Sequence, residues 1–145
     1  MKFSKKIVFV IVAFLSFSDF CFVYAEKISH PKYLYKGIIG EAVGEGYAGM
    51  YAVACVYRNR LRKGMPLGCV AFKRGDLDRF VEKQGKKYKE MVAIIVRKVF
   101  SENSPDSTNG ATHYENIRAF GFPYWAKDMR TTVKIGSHTF FVEKK

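Results

Sequence analysis

The sequence predicts an α+β fold: a helical body carrying a small antiparallel β-sheet. Two long segments with apolar residues at helical spacing supply the body, one following "IIGEAVGEG" at residues 38–46 and one at residues 86–101. The run "TTVKI", the pair Gly136-Ser137 and the run "HTFFV" supply a hairpin at residues 131–142. No internal repeat, low-complexity tract or Pro/Ser-rich linker divides the chain, so residues 26–145 are read as a single domain.

The first 25 residues are read apart from that domain. Lys2, Lys5 and Lys6 precede an almost unbroken apolar stretch from Ile7 to Phe17, and Val23-Tyr24-Ala25 ends in a small residue. This is the pattern of a secretory signal cut before Glu26. The alternative is an uncleaved anchor, because Ile7 to Ala25 approaches the ~20 residues that cross a bilayer. Asp19 within the stretch and the well-formed cleavage site favour removal. Nothing after Ala25 is apolar for long enough to span a membrane.

Cleavage leaves 22 basic against 12 acidic side chains, a balance of +10. An exported domain of that charge calls for an anionic partner. Nucleic acid is a poor candidate for a protein sent to the periplasm or the extracellular wall. The anionic polymers of a bacterial envelope, including peptidoglycan with its carboxylates, are better ones. About 120 residues can bury a core without metal or disulfide staples. For Cys55 and Cys69 a disulfide and two buried thiols are equally open.

Taken in order, a first helix begins near Pro31, which suits the first helical position, and runs to about Val43, with Gly44 as the terminating glycine. "EGYAG" turns the chain into a second helix. Its apolar face is Tyr47, Met50, Tyr51, Ala54, Val56 and Tyr57, and Arg58, Arg60, Arg62 and Lys63 give it a basic end that suits the helix dipole. Asn59-Arg60 is read as fixing that end structurally. "GMPLG" breaks the pattern, and Asp76 to Val81 is a short helix. Residues 86–101 are the third strong helix, with Met91, Ile94, Ile95 and Phe100 on or near one face. "NSPDSTNG" is a loop. In the hairpin a type II′ turn at Gly136-Ser137 pairs Ile135 with His138, Val133 with Phe140 and Thr131 with Val142. All six share the apolar face, so His138 points toward the core or a cleft wall. "ATHYE" is a strand that joins the same sheet.

Glu41 and Glu45 lie among glycines at the start of the core. Glu41 falls in the last turn of the first helix, where the dipole opposes ionisation and Ile38, Ile39 and Ala42 add desolvation. Glu45 stands at the entrance to the second helix, where the dipole favours its anion. A protonated acid beside an ionised partner is the arrangement that cleaves a glycosidic bond. Gly44, Gly46 and Gly49 would let a bulky polysaccharide approach. The plain alternatives are a helix-favouring charge for Glu45, a surface carboxylate for Glu41 and simple caps for the glycines.

"EAVGEGYAGMYAVACVYRNR", "DSTNGATHYENIRAFGFPYWAKDM" and "IGSHTFF" resemble, in order, the three blocks of the cell wall hydrolase family of SleB/CwlJ type, the spore-cortex-lytic enzymes. The resemblance implies a lysozyme-like arrangement and a peptidoglycan glycan-strand hydrolase or lytic transglycosylase without a cofactor. It implies Glu41 as the general acid at the bond between N-acetylmuramic acid and N-acetylglucosamine. In a transglycosylase the carboxylate then takes the proton of the muramoyl 6-hydroxyl as a 1,6-anhydro ring closes. A hydrolase would activate water instead, with Glu45 or Asp76 assisting. The chain departs from the family where "AFKRGDLDRF" replaces a Gln-Phe-Ser-like stretch.

The resemblance also implies that Asn109, Gly110, Thr112, His113 and Tyr114 line the cleft opposite Glu41. For Asn109-Gly110 ordinary turn chemistry is the alternative. Trp125 can stack on a sugar or belong to the core, and His138, toward the core or a cleft wall, is a further candidate for binding substrate. No third ligand accompanies His113 and His138 at a recognisable spacing, so no metal is expected. No Gly-x-Ser-x-Gly elbow supports a serine hydrolase. The rival to an enzyme is a catalytically inert, basic envelope-binding protein.

Overall fold

The computed structural model describes residues 27–144, and the expected signal segment lies outside them. Helices α1 (Leu34–Ala42), α2 (Gly46–Arg62), α3 (Leu77–Lys83) and α4 (Gly85–Val96) form the body. Strand β1 (His113–Glu115) and the short helix α5 (Ile117–Phe120) lead to β2 (Met129–Ile135) and β3 (His138–Glu143). The sheet is antiparallel with order β1-β3-β2. The fold is therefore α+β, a helix-rich body with a small C-terminal sheet.

Helix α2 is the axis of the molecule, buried on all sides from Ala52 to Asn59. Met50, Val53, Ala54 and Tyr57 pack on Leu34, Ile38 and Ile39 of α1 and on Val92 and Ile95 of α4. Ala52 and Val56 meet Ala111 and Phe140 under the sheet. A helix apolar on both faces can hold two layers together, at about 1.5–3 kcal/mol for each large aliphatic side chain removed from water. Tyr47, expected on the apolar face, is exposed and stacks on Tyr51 at 5.9 Å.

The basic end of α2 does more than complement a dipole. Arg58 is fully buried and donates to the carbonyls of Val99 and Ser104 at 3.3 and 2.6 Å. It satisfies acceptors around a π-helical turn, Arg97–Ser101, which ends the α4 segment and turns Val99 and Phe100 inward. Ile94, expected near the apolar face, is exposed, whereas Ile95 and Phe100 are buried.

Three further expectations need correction. The positive-φ glycine between α1 and α2 is Gly46 (φ +64) rather than Gly44, because a 3-10 turn, Val43–Glu45, extends α1 first. In the hairpin, Ile135 pairs with His138 and Val133 with Phe140, as expected, but Thr131 pairs with Phe141 rather than Val142. An irregularity between Thr131 and Val133 shifts the register by one and turns the strand end. The apolar face therefore ends early, and Thr131 is exposed. Gly136 alone of the turn pair has positive φ (+59), which fits the II′ turn.

Candidate active site

Helix α1 meets the segment after α2 at unusually short range. A Cβ on Gly40 would lie 2.5 Å from the Ala71 Cβ. The bare helix face lets the 3-10 turn Val70–Lys73 lie against it, and the Ala71 N–H reaches Glu41 Oε1 at 2.7 Å. The Cys69 thiol donates to the same oxygen at 3.5 Å. Tyr57 and Tyr114 share a hydrogen bond of 3.3 Å between their hydroxyls. Burial first, then the nearby Glu41 charge, holds the Tyr114 phenol well above its ordinary value. Burial likewise pushes the Cys69 thiol up to about 11. Glu41 is thus surrounded by groups that remain neutral at physiological pH.

Glu41 opens into a groove of about 500 Å³. Thr112, His113, Tyr114, Trp125 and His138 also line it, as does Glu45. Asn109, Gly110 and Asp76 do not. Asn109 (φ +54) and Gly110 belong to a turn built on Asp106, whose carboxylate accepts from Thr108 N and Gly110 N, both at 2.8 Å, and from the Thr108 hydroxyl. Asp76 is exposed and held by Arg74 at 3.0 Å, away from the groove.

The two glutamates, adjacent in the same wall, differ in their freedom. Glu45 is clasped by the hairpin turn: the Ser137 N–H donates to Oε2 at 2.9 Å and the Ser137 hydroxyl to Oε1. These bonds hold the Glu45 carboxyl below its usual range, against a smaller desolvation. A Cβ on Gly49 would lie 2.1 Å from the Glu45 Cβ, and one on Gly136 1.9 Å from Oε2. Gly49 and Gly136 thus make room for Glu45, and Gly46 serves the turn. Of the three glycines expected to admit a ligand, only Gly44 opens on the groove with clear space around it.

Opposite stands an aromatic wall. His113 lies 5.3 Å from Trp125, ring centre to ring centre, and Trp125 rests edge-on against Phe141 at 5.5 Å. Burial and the adjacent Arg60 charge keep the His113 imidazole below its ordinary value, so it is neutral near pH 7. His138 is buried beneath Tyr114, edge to face at 5.2 Å, and its Nδ1 has no partner among the described residues.

Several groove residues were not singled out in the sequence. Phe120, 79 % exposed, together with Glu115, Asn116 and Ser137, completes the lining. Arg60 lines it too, while its guanidinium donates to the carbonyls of Pro66 and Thr112 at 2.6 and 2.8 Å. Proximity to "THYE" was the available signal for Glu115 and Asn116. Ser137 reads in the sequence as half of the hairpin turn, and its place at the groove depends on a partner 92 positions away. Cys55 and Cys69 are both free and buried.

Residues 44–141, about two thirds of the chain, match the cell wall hydrolase family. The chain belongs to that family. No curated protein and no solved structure gives a match. Membership supports a hydrolytic function on peptidoglycan and is consistent with a place outside the cytoplasm. The matched segment of this cell wall hydrolase begins at Gly44, so it includes Glu45 and stops short of Glu41. No helix among the described residues is long and apolar enough to cross a membrane.

Proposed function

We propose that the protein cleaves the N-acetylmuramic acid–N-acetylglucosamine bond of peptidoglycan as a lytic transglycosylase of SleB/CwlJ type, with Glu41 as general acid. The observation that carries this reading is the difference between the two carboxyls. Glu41 opens on the groove with one oxygen anchored by Ala71, whereas both oxygens of Glu45 already accept from Ser137. A transglycosylase needs one working carboxyl and no activated water.

Glu41 gives its proton to the bridging oxygen as the bond to muramoyl C1 breaks, and positive charge develops on the ring. The muramoyl 6-hydroxyl then attacks C1, its proton returns to Glu41, and a 1,6-anhydro ring closes. Trp125 and His113 offer flat faces to the sugars, and Asn116 and His138 offer polar contacts, while the buried Thr112 hydroxyl is spent on His113 and Glu143. Glu45 fixes the hairpin turn beside the acid, and its charge favours the cationic ring.

Mass spectrometry of digested peptidoglycan tests the reading. Anhydro-muramoyl ends are expected; reducing ends would replace transglycosylation by hydrolysis, and an undigested wall would overturn the enzyme. Glu41→Gln keeps an acceptor for the Ala71 N–H, so the fold should survive. Its rate should fall roughly 10²–10⁴-fold, the usual worth of a general acid.

A further inference from the structure

A second concavity of about 370 Å³ adjoins the groove, and Leu67, Gly68 and Val70 line both. Pro31, Tyr33 and Phe72 complete its apolar wall, with Lys73 at the edge. Tyr33 and Phe72 meet edge to face with ring centres 5.1 Å apart, so the two rings form one continuous wall. Val70 on the shared ridge is 65 % exposed and Tyr33 53 %. Apolar surface left open beside a polar groove is the mark of a binding site. Arg74 is held by Asp76 and Lys36 by Asp78, whereas Lys73 meets no carboxylate among the described residues. Cys69 also lines this concavity, and its thiol reaches Glu41. One side chain therefore separates the second pocket from the acid.

Resting on the catalytic reading above, we infer that this pocket receives the stem peptide of the muramoyl residue being cleaved. The lactyl group of that sugar carries a peptide that opens with alanine and continues with an acidic residue. A small apolar side chain followed by a carboxylate matches an apolar wall edged by one uncommitted lysine. A site one side chain from Glu41 is within reach of a substituent on the same sugar. The protein then acts on peptide-bearing strands in preference to bare glycan.

The test compares peptide-bearing peptidoglycan with the same glycan stripped by an amidase. Wild-type kcat/KM should be roughly tenfold higher on the peptide-bearing strands, the worth of about one charge-assisted contact. Lys73→Glu should remove that preference and leave the stripped strand unaffected. Equal wild-type rates on both, or a Lys73→Glu loss on both alike, would overturn the inference. A binding arm uses the Glu41→Gln protein with and without Lys73→Glu, titrated with peptide-bearing and peptide-free muramoyl tetrasaccharides. Only the first should weaken with Lys73→Glu. That arm stands even if wild type cleaves neither substrate, in which case the catalytic reading fails and the pocket survives. If Lys73→Glu weakens poly(glycerol phosphate) but not the peptide-bearing sugar, the site serves a phosphate polymer and the inference falls.

Discussion

Ser137 gives Glu45 two hydrogen bonds to its ionised form and so holds the carboxyl below its ordinary value. A lowered carboxyl contributes stability that is complete above its unfolded value of ~4.3 and is lost as pH falls through the folded value. Ser137→Ala should cost about 1 kcal/mol at pH 7 in thermal denaturation. The gap to wild type should narrow below about pH 4, as Glu45 becomes protonated in both proteins. Asp106 is another structural carboxylate. Burial would raise it, but donors from Thr108, Asn59 and Gly110 prevail and lower it. Asp106→Ala should destabilise by about 2–3 kcal/mol in urea titration, since buried donors lose a charged acceptor. Asn59 was legible as a structural residue, and it donates to Asp106 and to the Ala111 carbonyl at 2.8 and 2.9 Å. The acceptor that makes this true, Asp106, is not marked within "NSPDSTNG", where several polar side chains are equally suited to close the turn.

Among the elements, the contact between α1 and the Val70–Lys73 turn is the one that positions Glu41. Gly40→Ala would set a methyl 2.5 Å from Ala71 and 2.9 Å from Leu77. Overpacking of this kind costs about 1–3 kcal/mol and should draw the Ala71 N–H away from Glu41. Activity assayed well below the melting temperature should fall by more than the lost folded fraction explains, a result that denaturation and kinetics together can check. The helices were legible because their apolar periods are long, and the hairpin because Gly136-Ser137 admits few turns. The shift at Thr131–Val133 was not legible. Alternation in "TTVKI" continues on paper, and only the pairing with β3 reveals the extra residue.

Across the whole molecule, charge and cysteine state make two measurable statements. Both described thiols are free, so a reductant should leave the melting temperature unchanged; a drop would reveal a disulfide. A basic protein should pellet with peptidoglycan at low salt and release as ionic strength rises, because exposed charges are screened within about 10 Å at 0.1 M. Glu41→Gln should pellet like wild type yet release no soluble fragments. A wild type that also releases none would favour the inert wall-binding reading. The sequence by itself determined the α+β class, the long second helix with its basic end, the hairpin with its turn, and the neighbourhood of Glu41 and Glu45. These rest on periodicity and turn chemistry, which act over a few residues. Only the tertiary structure decided that Glu41 is held by one oxygen and Glu45 by both. That difference depends on Ser137 and Ala71, brought to Glu45 and Glu41 by packing between segments far apart in the chain, and no local pattern encodes which distant donor arrives.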